Sequence, residues 1–301
     1  MSSGLGAKVI PLFEQKNKCS VEVVNMPDAG LMMERLKGER NHPQADVVIG
    51  LNNTFLQEIV DGNLLESYHP TGLHVIPREF LYDPVYRLVP YAYGYLAIVY
   101  DSDTVNDPPE TFGELQDERY KRQLLVPDAM KSAFGRACLY WTLAAFGVEG
   151  YEQFWSSIRK NITQFTPTWF NSRQLFMQDQ GTMMMGLTTT PAYYNETLSN
   201  DKVRSFVPDE GSFIVLPSAG LVRKAHHAGL GKKFLDFTLS ESFQKMIPET
   251  LWMYPIDQSV SIPASFSLAP LSVITLNKNL PGGSIQDKLY DFWVRYSSYM
   301  E

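Results

Sequence analysis

Ala92-Tyr93-Gly94-Tyr95-Leu96-Ala97-Ile98-Val99-Tyr100-Asp101 reads as a long apolar, aromatic strand. It leads into Asp107-Pro108-Pro109-Glu110-Thr111-Phe112-Gly113-Glu114, where Thr111 and Glu114 have capping-box spacing and the prolines fix the entry of the chain. A second stretch, Leu216-Pro217-Ser218-Ala219-Gly220-Leu221-Val222, precedes two helical patterns, Leu230 to Leu239 and Glu241 to Ile247. The second of these is capped by Ser240 and stopped by Pro248. Each stretch can carry the chain from one α/β lobe to another.

Outward from these two stretches, strands and helices alternate. Leu5 to Lys16 has a helical stripe of Val9, Leu12 and Phe13. Ser20 to Val24 reads as a strand, and Asp28 caps a helix that Gly38 ends. Ala45 to Leu51 is a near-continuous apolar run, the pattern of a buried parallel strand. Ala133 to Phe146 and Tyr151 to Ile158 read as amphipathic helices, Thr182 to Leu187 and Phe213 to Pro217 as strands, and Ser284 to Met300 as a last helix. This βαβα rhythm implies parallel sheets with helices on their faces.

Composition narrows the function by exclusion. The chain has 301 residues, which suggests two domains at roughly 150 residues each. A net charge of −7 and a pI near 5.3 argue against nucleic-acid binding, which needs a basic footprint. The apolar run from Tyr95 to Tyr100 is far shorter than the roughly 20 residues of a membrane helix. No GxGxxG follows a strand, and there is no Walker A loop, HExxH or G-x-S-x-G elbow. The five histidines fall outside zinc-ligand spacings, His69, His74, His226 and His227 read as surface, and Cys19 and Cys138 read as buried free thiols. Met183-Met184-Met185 alternates across a strand and reads as core rather than as copper ligands. No catalytic and no metal-binding residue is expected.

The two long stretches, in this order and spacing, look like the crossover strands and C-terminal helices of type II extracellular solute-binding proteins. A narrower match lies inside. Asp46-Val47-Val48-Ile49-Gly50-Leu51-Asn52-Asn53, Thr188-Thr189-Thr190-Pro191-Ala192-Tyr193 and Trp252-Met253-Tyr254-Pro255 resemble segments of periplasmic thiamine-binding proteins. Trp169 and the Asp128…Ser132…Gly135 loop fall in matching order. The resemblance implies an α/β, two-lobe type II periplasmic-binding fold, each lobe a mostly parallel sheet flanked by helices and joined by two crossover strands. It places lobe 1 at 1–95 and 218–301 and lobe 2 at 96–217. It implies a non-enzymatic receptor of an ABC importer, closing on thiamine, thiamine monophosphate or thiamine diphosphate and delivering it to an inner-membrane permease. No cofactor is expected beyond that ligand. The expected location is the periplasm or the outer face of the inner membrane, although no signal peptide is visible in the sequence.

Thiamine joins a cationic thiazolium to an aminopyrimidine, so it suits aromatic faces and a few fixed polar groups. Trp169 and Trp252 sit in polar surroundings rather than on helical stripes, and Tyr193 lies one turn into a helix. These three form the expected aromatic cage, with packing as the alternative for Trp252. Tyr194, adjacent on the helix, points elsewhere. Thr188 and Thr189 precede a proline-started helix, where hydroxyls and N–H groups meet phosphate. Asn52 and Asn53 end a strand and Ser132 precedes a helix; each is either a ligand contact or a cap. Trp141, Trp155 and Trp293 lie on apolar stripes and read as core. Tyr193-Tyr194 also resembles the paired tyrosines of ferric-ion receptors, the alternative ligand class. A thiaminase-like transferase is the enzyme alternative and needs a reactive cleft cysteine.

The sequence departs from the family at one place. Gly4-Leu5-Gly6 matches the helix that follows the family's first strand, and Ser3 stands where the family has a tryptophan. The first strand of lobe 1 is therefore expected to be missing, with the signal sequence. A monomer is expected, a swapped dimer if the strand is truly absent, and a lipid anchor if the chain extends upstream of Met1.

Overall fold

A computed structural model describes residues 4–270, 274–281 and 285–298. The chain divides into two compact units, Met1–Tyr93 with Val215–Pro263, and Gly94–Ile214 with Ala264–Glu301. It is an α/β chain, and both units are discontinuous in sequence.

The first unit begins with α1 (Leu5–Asn17) and α2 (Ala29–Gly38), whose Asp28 cap accepts the Gly30 N–H at 2.9 Å. Then come β1 (Val47–Leu51), α3 (Leu56–Gly62), β2 (Leu65–Glu66) and β3 (Val89–Pro90). The chain enters the second unit along β4 (Ala92–Asp101). There follow β5 (Leu124–Pro127), α4 (Ala133–Ile158), β6 (Ile162–Thr166), α5 (Trp169–Met177), β7 (Met183–Leu187), α6 (Thr190–Leu198), β8 (Val203–Phe206) and β9 (Ile214–Val215). It returns through β10 (Ser218–Val222), α7 (Ala228–Thr238), α8 (Glu241–Gln244), α9 (Ile247–Leu251) and β11 (Tyr254–Pro255). It ends in the second unit with α10 (Gln286–Ser298).

In the first unit β10 is central. It pairs with β1 in the register Val47↔Leu221, and with β2 and β3, all antiparallel. The Ala45–Leu51 pattern marks burial correctly for Val48 and Leu51, but the partner of this strand runs the other way. α1 packs on α7 through Phe13, whose ring meets Phe234 edge-on at 5.0 Å. Ser20 to Val24 forms no strand: no described residue pairs with its backbone in a ladder, and Val23 and Val24 are exposed. The Val21 N–H instead donates to the Glu14 carboxylate at 2.7 Å. Pro248 does not stop a helix but sits in the first turn of α9, where its fixed φ and missing N–H cost nothing.

In the second unit β4 pairs antiparallel with β7 and β8, while β7–β5 and β5–β6 are parallel. β7 buries all three of Met183, Met184 and Met185. α4 is interrupted at Gly147 (φ 70°, ψ −178°), which separates the two helices read from the sequence. α10 belongs here rather than with the first unit, which corrects the expected assignment of 218–301 to lobe 1. The reason is aromatic packing. Trp293 meets Trp155 at 5.0 Å and 88° and Phe165 at 5.1 Å, and Phe292 meets Tyr151 at 5.1 Å. Such edge-to-face pairs contribute about 0.5–1.5 kcal/mol each beyond the area they bury. Trp141, Trp155 and Trp293 are fully buried, as their stripes require. The ends of the expected last helix, Ser284 and Met300, and residue Ser3 lie outside the described residues. No described helix is long and apolar enough to cross a membrane.

Candidate functional site

Because β6, β5 and β7 are parallel neighbours, their carboxyl ends lie on one side of the second unit's sheet. Each end feeds a helix: β5 into α4, β6 into α5 and β7 into α6. Three helix starts thus gather where open α/β sheets bind ligands. Each start is built locally. At the first, the Ser132 hydroxyl accepts the N–H groups of Phe134 (3.2 Å) and Gly135 (3.4 Å). Gly135 is required, because a Cβ there would stand 2.2 Å from the Pro127 carbonyl. Asp128 ties the loop down, accepting the Met130 N–H at 2.9 Å and the buried Trp293 indole N–H at 2.8 Å. At the second, Thr168 accepts the Asn171 N–H at 3.3 Å. At the third, the Thr190 hydroxyl accepts the Leu187 N–H at 3.0 Å, and Pro191 fills the first turn of α6.

Trp169 opens α5 and Tyr193 lies one turn into α6; both pack partly buried against a core of Val99, Leu125, Phe176, Met184, Tyr194 and Val203. The Trp169 ring is 6.0 Å from Phe134 of α4. Arg173 links them, its guanidinium carbon lying 4.7 Å from the Tyr193 ring, 5.0 Å from Phe170 and 5.8 Å from Trp169. The structure therefore brings Trp169 and Tyr193 around one cation that the sequence reading did not single out. The signal was present: Arg173 is four residues after Trp169, on the same helix face. Tyr194 is fully buried in the core, its ring meeting that of Tyr193 edge-on at 5.5 Å and 90°. Burial pushes its phenol well above the ordinary range, and Arg173 opposes that shift.

Several polar atoms of this region are buried with no hydrogen-bond partner among the described residues: Trp169 Nε1, Arg173 Nε, Thr188 Oγ1 and Tyr194 Oη. Thr188 and Thr189 are fully buried just ahead of α6. An unpaired buried polar group costs about 1–3 kcal/mol, so such a group finds a partner wherever one exists.

The first unit's candidates sit differently. Asn52 is 5% exposed, and its amide oxygen accepts both the N–H (3.0 Å) and the hydroxyl (2.6 Å) of Thr54. Asn53 accepts the Leu216 N–H at 3.0 Å, fastening the strand end to the chain entering β10. Trp252 ends α9 in the left-handed region at φ 54°, ψ 40°, unusual for a bulky residue. Beyond it Tyr254 stacks on Tyr93 at 5.1 Å and 20°, and Phe80 lies 4.6 Å from Tyr93 on a tilted ring plane. Tyr93 is thus packed between two aromatic neighbours of its own unit.

Other chemistry recedes. Cys138 is buried and its thiol is pushed strongly up by desolvation; Cys19 is half-buried rather than buried. Among the described residues no three His, Cys, Asp or Glu side chains gather to hold a metal ion. His226 and His227 are exposed, and His227 caps back onto Asp46.

The profile of bacterial extracellular solute-binding proteins matches residues 42–278. A thiamine-binding periplasmic protein of Brucella abortus is 31% identical over 278 residues, covering 91% of this chain and 81% of the relative. A protein of the same name from Escherichia coli is 29% identical, with 91% and 82% covered. A solved periplasmic thiamin binding protein superposes with a TM-score of 0.90 at 26% identity, over 99% of this chain and 92% of the other. With the profile spanning most of its length and these relatives matching nearly all of it, the chain belongs to the bacterial extracellular solute-binding proteins.

Proposed function

We propose that this protein is the thiamine receptor of an ABC importer, working in the periplasm and handing thiamine or a thiamine phosphate to an inner-membrane permease. The observation that carries this reading is the second unit's cluster, where Trp169 and Tyr193 stand beside polar atoms that no described residue satisfies. A flat heteroaromatic cation with hydrogen-bonding substituents suits that environment. The names of the relatives support the same ligand. Trp169 and Tyr193 would stack the rings, and Thr188 and Thr189 would meet the polar end. Ser132 would contribute through the α4 start that it caps rather than through a free hydroxyl. For Asn52, Asn53 and Trp252 the reading is one of local support, because the asparagine oxygens already serve the backbone and Trp252 closes a helix.

The rival readings fit less well. A ferric receptor would need Tyr194 as an accessible phenolate, whereas it is buried and held neutral. A thiamine-cleaving transferase would need an accessible thiolate, whereas burial keeps Cys138 protonated. Isothermal titration with thiamine, thiamine monophosphate and thiamine diphosphate tests the proposal. Saturable binding of at least one form is expected, and no heat with all three would overturn it.

A further inference from the structure

Arg173 is a cation with an unusual set of neighbours. Three aromatic rings lie within 6 Å of its guanidinium carbon. It forms no ion pair and no hydrogen bond with any described residue, and its Nε is buried. The nearby unpaired groups share one property. Trp169 Nε1 and Arg173 Nε can only donate, and the hydroxyls of Thr188 and Tyr194 can donate as well. Thr188 is fully buried at the approach to α6, and the starts of α5 and α6 add the partial positive charge of helix N-termini. Among the described residues no group accepts a hydrogen bond from these four atoms. Arg173 also brings a guanidinium charge beside the Phe170 and Tyr193 rings.

Resting on the thiamine reading, we propose that Arg173 is the specificity-determining residue of an anion subsite between α5 and α6, selecting phosphorylated ligand over the free cation. A phosphate monoester brings acceptor oxygens and negative charge to the unmatched donors, and guanidinium suits phosphate in a planar, two-bonded geometry. Free thiamine carries the same thiazolium cation but lacks the phosphate's negative charge and acceptor oxygens. The same geometry gives inorganic pyrophosphate, an anion without rings, a weaker but measurable affinity.

The test is calorimetric titration of thiamine, thiamine monophosphate, thiamine diphosphate and pyrophosphate into the wild type, Arg173→Gln and Arg173→Lys, each first checked for an unchanged melting temperature. The wild type should prefer thiamine monophosphate to thiamine by about 10-fold. Arg173→Gln should bring that ratio to within about 2-fold, chiefly by weakening the phosphorylated form, with Arg173→Lys between. If both ligands bind and Arg173→Gln leaves their ratio unchanged, the anion subsite is overturned while the thiamine reading stands. If thiamine, thiamine monophosphate and thiamine diphosphate all fail to bind but pyrophosphate binds in an Arg173-dependent way, the subsite stands and the thiamine reading falls. If none of these four binds the wild type, both fall.

Discussion

The two units treat their polar side chains in opposite ways. In the first, the asparagines at the end of β1 are engaged: Asn52 holds Thr54, and Asn53 holds the Leu216 N–H. In the second, Trp169, Arg173, Thr188 and Tyr194 keep polar atoms that are buried and unpaired. Both regions lie at strand ends, where sequence reasoning places ligands. The difference is in how far each region's side-chain oxygens and donors are already matched within the protein. A side chain already completing a local hydrogen-bond pattern costs free energy to redirect, whereas an unpaired donor gains when a ligand arrives.

The comparison can be broken at several points. The largest expected effect is on the scaffold beneath the second unit's cluster. Asp128→Ala removes the acceptor of the Trp293 indole and of the Met130 N–H, and it should lower unfolding stability by about 2–3 kcal/mol in urea denaturation. A loss under about 0.5 kcal/mol would show that the loop does not depend on it. Next is Tyr193→Ala, expected to weaken thiamine binding about 10-fold, or about 1.4 kcal/mol, with the melting temperature little changed. Smaller still is Asn52→Ala, which should remove a turn cap worth about 1 kcal/mol in thermal unfolding while leaving the dissociation constant within about 2-fold. If Asn52→Ala weakened binding more than Tyr193→Ala did, the contrast between the units would be reversed.

Much of the fold was legible. Periodicity located the buried strand β7, the cap Asp28 and the core tryptophans, because each is a local pattern with a local cause, while Ser132, left open between cap and ligand contact, caps α4. The errors were non-local. Ser20 to Val24 has strand composition but no partner to ladder with. Pro248 reads as a stop unless the next turn is known to begin there. The membership of α10 depends on Phe165, Tyr151 and Trp155, more than a hundred residues earlier in the chain. Of the candidate site, Trp169, Thr188, Thr189 and Tyr193 were found by resemblance and gathered by the parallel order of β6, β5 and β7. Arg173 was missed because a lone arginine on a helix reads as solvated surface until the rings around it are seen.

The central claim is that the second unit's aromatic pair holds the ligand. Isothermal titration of thiamine into the wild type and into the double variant Trp169→Ala/Tyr193→Ala tests it most directly. The account predicts saturable binding by the wild type and a loss of about 100-fold or more in the variant, about 2.7 kcal/mol, with both proteins showing the same cooperative thermal unfolding. An equal dissociation constant for the two folded proteins would contradict it.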